Sequence, residues 1–505
     1  MDHFLPEPRS YWLTSAPPPG AEPAPPLNDV DVAVVGGGIA GITTAYLLKQ
    51  TGRTVGLVEA NQVLSGVTGH TTAKATAQHG LIYAHLEKHF GPETAAVYGA
   101  GQSAALDFIG AESARLGVDC ELSQRDSLVY LEPSSPTGVL RREAEAAASA
   151  GLPAEYVDDV DLPFPVSGAV RFTGQAQFHP VRWLRALAER LVGDGSYLAE
   201  GVRVLGVSEQ EPCVVHTDRG DLRARDVVVA TGYPILDRGF FFARLTPYRD
   251  LVVAGAVPAD AAPEGMYLSA GAGHSVRTSP LADDTVLLIV GGGKYRTGTR
   301  GDADLRHSEL AAWAMSHFPL DRIDYRWSAQ DNTTVDRLPY IGRYHQFARR
   351  LWVATGFGLW GMTNGTLAGL ILTDLITGVA NDWARVYDPA RVTIRQSATS
   401  FLRGNAEVAQ HLVVDRLKPL IAGPVESLQP GEGGVFRAGT RLAAVHRDET
   451  GVVTALSARC SHLGCTVAFN DDEQSWDCPC HGSRFGLDGR VLTGPATRPL
   501  RPLQL

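Results

Sequence analysis

The chain has 505 residues, more than a single hydrophobic core usually organises, so we expect two or three domains. Its composition, with 44% hydrophobic and 20% charged residues, is typical of globular proteins, and no apolar run approaches the roughly 20 residues that span a membrane. A net charge of -10 argues against nucleic-acid and anionic-membrane partners, because no excess of basic residues is available to bind phosphate.

The N-terminal segment is rich in proline, and we expect an extended arm over residues 1–27. It has neither a basic start nor an apolar core, so it is not typical of a secretion signal. We therefore expect a cytoplasmic protein with no membrane span.

A nucleotide-binding fingerprint follows the arm. A β-branched run from Asp31 to Val35 predicts a strand, an apolar periodic stretch predicts a helix over residues 39–50, and "TVGLVE" predicts a second strand that ends on Glu59. Three glycines in G-x-G-x-x-G spacing follow the first strand and run into the first turn of the helix: Gly36, Gly38 and Gly41. Because strand, helix, second strand and terminal acid are all present, the segment indicates a dinucleotide site.

Each part of this fingerprint has a physical role. Gly36 allows a tight turn, Gly38 lets the backbone approach a pyrophosphate at the helix N-terminus, and Gly41 permits close packing of the helix against the strand. Glu59 is placed to accept a hydrogen bond from a ribose hydroxyl. The fingerprint alone does not distinguish NAD from FAD.

Two later segments bear on that choice. The run from Asp226 to Gly232, "DVVVATG", is the predicted return strand of the nucleotide-binding sheet. Near residue 350, "LWVATGFGLWGMTNGTLAGLILTDLITG" predicts a strand, a glycine-rich loop and an apolar helix that starts near Gly365. The N-terminus of that helix would favour the negative charge that develops on a reduced flavin. A buried helix after a flexible loop is the alternative for this segment alone.

Together, these segments resemble the D-amino-acid-oxidase-like (DAO) superfamily of FAD enzymes over residues 28–385. The resemblance implies an α/β (α+β) fold, in which a Rossmann-type FAD-binding domain in three pieces carries an inserted, sheet-based substrate domain in two pieces. We place the FAD pieces at about 28–111, 176–245 and 326–385, and the substrate pieces, with the strand-like runs "LVVAGAV" and "TVLLIV", at about 112–175 and 246–325.

The resemblance also implies the FAD contacts. They lie in the fingerprint, in the loop after its acid and in later segments: Gly36, Gly38, Ile39, Ala40, Gly41, Glu59, Ala60, Ser65, Gly66, His70, Thr71, Thr72, Ala73, Val204, Thr231, Gly232, Gly358, Trp360, Gly361, Met362 and Thr363. The position of His70 resembles that of the flavin-linked histidine in dimethylglycine and sarcosine dehydrogenases. We hypothesise that His70 lies near the dimethylbenzene edge of the flavin and bonds to it; the alternative is a histidine that only hydrogen-bonds nearby.

The implied substrate is an amine or an amino acid, oxidised to an imine. Hydride transfer from a carbon beside nitrogen requires orientation over the flavin and an uncharged amine, and a carboxylate substrate would require a cationic clamp. Tyr248 and Arg249 are our first candidates, because the family's substrate strand begins near a proline such as the one in "LTPYRDLVVAG". Lys294 is a further candidate, as a base or for oxygen activation.

The chain changes character after residue 385. Residues 386–411 predict a linker helix, and short strand-like pieces with turn signals predict a small all-β domain over 412–505. This domain contains "CSHLGC" and, thirteen residues later, "CPCHGSRF", a C-x-H and C-x-x-H pattern with four candidate metal ligands: Cys460, His462, Cys478 and His481. Two thiolates and two imidazoles suit a [2Fe–2S] centre. Zinc is the competitor, but its sites usually begin with paired cysteines.

This pattern resembles the Rieske family. The resemblance implies a disulfide between Cys465 and Cys480, one in each ligand loop, although cytosolic thiols are normally reduced. Ser483 matches a serine that donates to a bridging sulfide in high-potential members, whereas Phe485 stands where those members carry a donor tyrosine. Because a lost donor makes reduction less favourable, we predict a middling potential within the Rieske range of roughly -150 to +300 mV.

The two ends together predict a dehydrogenase. FAD would take two electrons from an amine or amino acid, and the cluster would pass them one at a time to an external acceptor. The alternative is an electron-transfer module between two redox partners, without oxidation of a small molecule. No second complete G-x-G-x-x-G unit supports an NAD(P)H reductase, no facial triad supports an oxygenase, and the complete ligand set argues against a purely structural Rieske domain.

Overall fold

The computed structural model describes residues 5–17, 24–299, 303–391 and 425–504. The α-helices within these ranges are α1 Tyr11–Ser15, α2 Ile39–Gln50, α3 Tyr83–Phe90, α4 Pro92–Leu116, α5 Gly138–Ser149, α6 Pro180–Leu191, α7 Ala303–His317, α8 Gly361–Thr377 and α9 Ala384–Tyr387. The first strands are β1 Val30–Val35, β2 Val55–Val58, β3 Lys74–Ala75, β4 Ser123–Leu131, β5 Ala154–Val157, β6 Gly168–Gln177, β7 Tyr197–Ala199, β8 Val204–Ser208, β9 Cys213–Thr217 and β10 Gly220–Val229. The later strands are β11 Leu245–Pro258, β12 Met266–Ser269, β13 Ser275–Pro280, β14 Thr285–Arg296, β15 Tyr325–Thr334, β16 Tyr340–Arg343, β17 Leu351–Thr355, β18 Gly433–Ala438, β19 Arg441–Arg447, β20 Val453–Ser457, β21 Ala468–Asn470, β22 Ser475–Asp477, β23 Arg484–Phe485 and β24 Val491–Thr493.

The first sheet is the nucleotide-binding sheet that the fingerprint predicts. Its strand order is β16-β17-β10-β1-β2-β7, with β9 pairing β10 and β8 pairing β9. The pairs β17–β10, β10–β1, β1–β2 and β2–β7 are parallel. The predicted return strand is confirmed as β10, which lies directly beside β1, so the carboxyl ends of both strands open on one edge of the sheet.

Helix α8 packs against α2 over this sheet. A Cβ added at Gly365 would lie 2.6 Å from Ile39 Cγ2, and one at Gly369 would lie 2.6 Å from Thr43 Cγ2, so both glycines permit the close approach of the two helices. The helix begins at Gly361, four residues before the predicted start near Gly365. The glycine-rich sequence resembled a loop, but the side chains of its first turn are buried and extend the helix.

The second sheet contains the strands of the predicted substrate domain. Its order is β15-β11-β14-β13-β12-β4-β6-β3, with β5 beside β6. The strand-like runs "LVVAGAV" and "TVLLIV" are confirmed as parts of β11 and β14. The sheet also takes in β3 and β15, so its edges lie within or overlap the segments assigned to the FAD pieces. Helix α7 covers β11 and β14.

Part of the N-terminal arm is folded rather than extended. Helix α1 packs onto the loop that follows the fingerprint, where the fully buried Trp12 donates its indole N–H to Thr71 O at 2.6 Å. The expectation of an extended arm is therefore wrong for this segment. An aromatic side chain that is buried together with its hydrogen bond outweighs the local preference of the flanking prolines.

The C-terminal region is all-β, as predicted. One sheet contains β18-β19-β20 and the other β21-β22-β23-β24, and their shared core contains the four clustered cysteines. The predicted linker helix lies outside the described residues for all but its first positions, 386–391, of which residues 386 and 387 belong to α9. Among the helices that the structure describes, none is long and apolar enough to cross a membrane.

Candidate functional site

The turn between β1 and α2 depends on its glycines. Gly36 has a φ of 110°, and a Cβ there would lie 2.5 Å from Ala230 O on the neighbouring strand. A Cβ at Gly41 would lie 1.9 Å from Gly36 O. A side chain at either position would therefore clash with backbone, which is the physical reason for the fingerprint spacing.

Glu59 is held at the end of β2 with its carboxylate fixed. Its Oε2 accepts the backbone N–H of Gly37 at 2.8 Å, and its Oε1 accepts that of Asn61 at 2.9 Å. Burial raises the pKa of Glu59, while these backbone hydrogen bonds and the charge of Arg203 act in the opposite direction. The carboxylate is thus held in one orientation, and its predicted role as a ribose ligand stays a prediction.

A cavity of about 1350 Å³ runs from this turn to the second sheet. Most of the predicted FAD contacts line it together: Gly36, Gly38, Ile39, Ala40, Glu59, Ala60, Ser65, Gly66, His70, Thr71, Thr72, Val204, Thr231, Gly232, Gly358, Trp360, Gly361 and Met362. Their individual contacts with FAD stay predictions. The shape and lining nevertheless fit a long dinucleotide, with glycine backbone at the pyrophosphate position.

Three predicted contacts lie behind the cavity wall instead. Gly41 packs on Gly36, and Ala73 is buried with its carbonyl accepting from Arg277. The hydroxyl of Thr363 donates to Thr76 O at 3.1 Å. These residues support the wall rather than face the space in front of it.

Trp360 forms an aromatic wall of the cavity. Its ring stacks on His79, with centroids 4.8 Å apart. His79 is buried and its Nε2 lies 2.9 Å from both Thr76 O and Thr363 Oγ1. Burial lowers the pKa of His79 to about 3, so the imidazole is neutral at physiological pH and packs as an aromatic support.

His70 lines the cavity at the end of the loop after the fingerprint. Its Nδ1 lies 2.9 Å from Gly66 O, which leaves Nε2 as the nitrogen for a bond to a flavin. Burial lowers the pKa of His70, so its ring is neutral at pH 7. A neutral imidazole facing the cavity is compatible with the predicted covalent link, which stays a hypothesis.

Opposite charges meet on the cavity face of the second sheet. The β11–β14 register shifts between Arg249 and Leu251, and this bulge sets Asp250 beside Lys294. Lys74 reaches the same region from β3 and donates to Tyr267 O at 2.6 Å and to Ser275 Oγ at 2.7 Å. Burial raises the pKa of Asp250 to about 7, against the attraction of Lys294 and Lys74.

Burial also lowers the pKa of Lys74, to about 7. Two groups that change protonation near pH 7 and line a cavity are candidates for proton transfer. Lys294 lines the cavity as predicted, and its Nζ lies 4.6 Å from the centroid of the Tyr248 ring. Tyr248 is not among the cavity-lining residues, so it supports Lys294 from behind.

Arg249 is engaged by a carboxylate of the C-terminal all-β region. Its guanidinium is 1% exposed and donates to Ser328 and to Glu473, which lies 224 residues further along the chain. Glu473 also accepts from Arg484 at 2.6 Å and from Ser328 at 2.9 Å. The predicted carboxylate clamp is therefore occupied by a carboxylate of the protein itself.

Lys74, Asp250 and Glu473 were not among the sequence-based candidates. Asp250 follows Arg249 directly and is an acid immediately before the apolar run "LVVAGAV", which is a signal for a functional position. Lys74 follows the predicted flavin loop and offered a weaker signal. No local pattern could have indicated Glu473, because its partner lies in another domain.

The four predicted cluster ligands lie in two loops of the same shape. In the first loop, Cys460 N–H donates to Cys465 O at 2.9 Å and Gly464 N–H to Cys460 O at 3.0 Å. In the second, Cys478 N–H donates to Ser483 O at 2.8 Å and Gly482 N–H to Cys478 O at 3.0 Å. Both glycines have a positive φ, 82° and 75°, which lets each loop turn back on itself.

The donor atoms fit a Rieske cluster. The rings of His462 and His481 lie 5.0 Å apart, and the part of the chain that the structure describes offers no hydrogen-bond partner to the buried Nδ1 of either ring. A hydrogen bond with Cys478 is the main cause that lowers the pKa of Cys460, which favours a thiolate. Two orphaned imidazole nitrogens beside two buried, unbridged cysteines are what a mixed nitrogen–sulfur [2Fe–2S] centre requires.

The predicted disulfide is confirmed. Cys465 and Cys480 are bridged, with Cα atoms 6.5 Å apart, so the bond ties the two ligand loops together. Ser483 is fully buried, accepts Ala496 N–H at 3.0 Å and contributes a hydrogen bond to Cys460. Phe485 is fully buried in the core of this domain. The middling potential predicted from these two positions stays a prediction.

The histidine edge of the Rieske domain lies against the flavin-binding domain. His462 Nε2 lies 2.7 Å from Asp237 Oδ1. The ring centroid of His481 lies 6.0 Å from that of Tyr233 and 6.2 Å from that of Phe242. Tyr233, Asp237 and Phe242 all lie on the segment after β10. A carboxylate bonded to the outer nitrogen of a ligand imidazole is the usual second partner of metal-bound histidine.

The Rieske domain also closes the flavin cavity. Residues 490–494 and 496–499 line it, together with Glu473 and Arg484. Gln330, on the cavity wall, donates to Gly482 O at 2.8 Å, next to His481. Asp472 anchors the arrangement, with Oδ1 2.7 Å from Arg326 Nη1 and Oδ2 2.9 Å from His307 Nδ1. The cavity and the cluster-ligand loops are thus joined by one packed interface.

Comparison with known proteins agrees with this geometry. The family model for FAD dependent oxidoreductase (DAO) matches residues 31–375, and that for the Rieske [2Fe-2S] domain matches residues 418–504. Over 507 aligned residues the chain is 36% identical to YhfW of Bacillus subtilis (strain 168), which is named as a Rieske 2Fe-2S iron-sulfur protein; the match covers 100% of this chain and 99% of YhfW.

Other relatives match a part of the chain. Gamma-glutamylputrescine oxidoreductase of Escherichia coli (strain K12) is 23% identical over 388 residues, which covers 74% of this chain and 89% of that protein. Glycine oxidase from Geobacillus kaustophilus superposes with a TM-score of 0.58 at 20% identity, covering 73% of this chain and 100% of the other. The chain belongs to the DAO family of FAD dependent oxidoreductases and continues into a Rieske [2Fe-2S] domain, so FAD and a [2Fe–2S] cluster are its cofactors.

Proposed function

We propose that this chain is a dehydrogenase that oxidises an amine or amino acid at a CH–NH or CH–NH2 group and passes the electrons singly through the cluster to an external acceptor. When bound, FAD supplies two-electron hydride chemistry and the cluster supplies one-electron transfer. The single observation that carries the proposal is the shared interface, in which the Rieske domain lines the flavin cavity and turns both ligand histidines toward the flavin-binding domain.

The interface supports transfer within one molecule. Glu473 is bonded to Arg249 and Ser328, and Asp472 to Arg326, so the Rieske domain is held by buried charge-assisted hydrogen bonds. If the two domains separated, each of these charged side chains would lose its partner. We infer that the cluster receives electrons in the docked position.

The polar side chains on the second sheet suit the chemistry of an amine. Only an uncharged amine releases hydride, whereas a free aliphatic amine carries a proton at neutral pH. Asp250, with its pKa raised to about 7 by burial, accepts that proton, and Lys74 and Lys294 hold the carboxylate form beside it. Trp360 forms an apolar wall that helps to exclude water.

The relatives favour this substrate class. Gamma-glutamylputrescine oxidoreductase is named for an amine substrate, and glycine oxidase, L-proline dehydrogenase and L-amino acid deaminase are among the solved structures with a similar fold. We apply only the substrate class of these relatives to this chain, namely compounds that are oxidised at a carbon bonded to nitrogen. The fold by itself does not choose a compound.

Anaerobic mixing of the holoprotein with a panel of amines and amino acids tests the proposal. We expect one class to bleach the flavin absorbance and then to produce the electron paramagnetic resonance signal of the reduced cluster. Bleaching without the cluster signal would contradict transfer within the molecule. If no compound bleaches the flavin while dithionite reduces both centres, the alternative of an electron-transfer module between two protein partners replaces the dehydrogenase.

A further inference from the structure

Aromatic rings lead from the cluster site to the protein surface. His481 lies between Tyr233, which is fully enclosed on the flavin side, and Phe242, whose ring centroid is 6.2 Å from that of His481. Phe242 in turn lies 5.9 Å from Phe240. Phe240 is 69% exposed, so this series of rings ends in solvent.

Phe240 is held outward by its backbone. It has a φ of 57°, in the left-handed region, directly after Gly239 with a φ of 78°. A phenylalanine in this conformation is strained and persists only where the surrounding structure imposes it, and such residues concentrate at functional sites. The turn is packed closely against its neighbours, because a Cβ added at Gly239 would lie 2.8 Å from Tyr344 O.

Because Gly239 contacts Tyr344, a second segment with an exposed aromatic residue lies beside Phe240. Phe347, three residues after Tyr344, is 79% exposed, and Leu463, next to the ligand His462, is 41% exposed. Apolar side chains around a redox centre are typical of the small interfaces at which electron carriers dock. We call this surface the aromatic face and define it by six exposed residues: Arg238, Phe240, Arg343, Phe347, Arg349 and Leu463.

The charge around these side chains is opposite to that of the whole protein. The chain has a net charge of -10, yet no aspartate or glutamate occurs between Arg337 and Thr373. Arg238, Arg343 and Arg349 are exposed beside the aromatic rings, and Asp237 is exposed there as well. The nearby acids are engaged, Asp237 by His462 and Glu209 by the backbone N–H of Arg349.

We propose that the aromatic face is the docking site of the external acceptor, and that this acceptor is a small acidic protein that carries one electron. The proposal rests on the proposed export of electrons through the cluster. Each reduced cluster gives one electron to one oxidised carrier, so the oxidation of one amine, which releases two electrons, reduces two carriers. Basic side chains attract the carrier, and the apolar rings bring its redox centre close to His481.

The test uses holoprotein whose cluster has been reduced with dithionite and separated from the excess, so it does not depend on substrate oxidation. Two oxidised probes of high potential are compared, an acidic blue-copper protein and a basic c-type cytochrome. We expect the acidic probe to oxidise the cluster faster, with a rate constant that falls about tenfold or more as the ionic strength rises to physiological values. The basic probe lacks this acceleration at low salt.

Charge-reversal variants locate the contact. Arg238→Glu combined with Arg349→Glu is expected to lower the association rate of the acidic probe about tenfold at low salt, and Phe240→Ser to slow electron transfer without a change in the cluster spectrum. Arg142→Glu, an exposed arginine on α5, is the matched control and keeps the original rate. Calorimetric titration with the zinc-substituted blue-copper protein measures binding independently of electron transfer and should show the same order.

Three results would overturn the proposal. The basic probe reacts as fast as the acidic one, or the variants react and bind like the original protein. The third is that Phe240→Ser turns a dimer into a monomer, because the face would then be covered by a second copy of the chain. A failure of amine oxidation with an intact salt-dependent carrier reaction would instead count against the proposed function alone.

Discussion

His462 Nε2 lies 2.7 Å from Oδ1 of Asp237, so a carboxylate of the flavin-binding domain bonds the outer nitrogen of a cluster ligand. Such a partner fixes the orientation of a metal-bound imidazole and raises its basicity. In this chain the partner comes from a different domain, 225 residues away. The electronic properties of the cluster therefore depend on docking, and this dependence can be measured.

Replacement of the carboxylate should raise the reduction potential. Asp237→Asn keeps the shape of the side chain but removes a negative charge beside a centre that becomes more negative on reduction. We expect the midpoint potential, measured by voltammetry at pH 7, to increase by tens of millivolts.

Asp488→Asn is the control for that experiment, since Asp488 is an exposed carboxylate of the Rieske domain itself, with a side chain that is 65% accessible. The midpoint potential of the cluster in Asp488→Asn should match that in the original protein. Equal potentials for the original protein and Asp237→Asn would mean that the Rieske domain is not docked in solution as it is in the structure.

Docking should also contribute to stability. Glu473 is the partner of the buried Arg249 and of the half-buried Arg484. Glu473→Gln removes the only carboxylate that contacts Arg249 among the described residues, and breaking a buried ion pair in this way costs about 3–5 kcal/mol. We expect the urea midpoint, followed by the absorbance of the cluster, to fall accordingly.

Glu155→Gln provides the comparison, because Glu155 pairs with Arg171 at an exposed site. A pair of this kind contributes less than about 1 kcal/mol. If both variants unfold at the same urea concentration, the interface is not maintained by Glu473.

The same carboxylate predicts how stability responds to acid. Burial alone would raise the pKa of Glu473, but Arg249 and Arg484 together lower it to about 2. A carboxyl whose pKa is lower in the folded state stabilises the protein above its unfolded pKa of roughly 4.3 and loses this effect as the pH falls toward 2. The free energy of unfolding should therefore decrease between these pH values, and in Glu473→Gln the decrease should be smaller.

The features that could be predicted from the sequence are those that depend on residues close together in the chain or on a family motif. The glycines from Gly36 to Gly41 and the two ligand loops depend on neighbours within a few residues, and the structure contains them. The Cys465–Cys480 bridge joins cysteines 15 residues apart, and it was implied by the resemblance to the Rieske family. The pairing of Arg249 with Glu473 could not be predicted, because it depends on how two separately encoded domains pack. The helix start at Gly361 was misplaced because glycine propensity is a weak guide when tertiary packing buries the first turn.

Asp250 should control the pH dependence of substrate oxidation. Its pKa of about 7, raised by burial, means that it is protonated at lower pH and cannot then accept a proton from the substrate. The rate of flavin reduction, measured by stopped flow, should rise with pH through about 7. Asp250→Asn should remove this rise and lower the rate by about 10²–10⁴-fold.

Lys74→Met distinguishes a role for Asp250 from a general effect of pH. Lys74 lowers the pKa of Asp250, so its loss should move the rise to higher pH while the maximal rate remains measurable. An unchanged profile in Asp250→Asn would assign the proton transfer to another group.

His70 decides whether the flavin is bonded to the protein. Its Nδ1 is engaged by Gly66 O, its Nε2 is the nitrogen left for a bond, and burial keeps the ring uncharged. If the bond forms, yellow colour should remain with the acid-precipitated protein, and His70→Ala should release its FAD completely while still binding it before precipitation. His79→Ala changes a histidine behind the wall and should retain the colour. Complete release of FAD from the original protein would mean that His70 only lies beside the flavin.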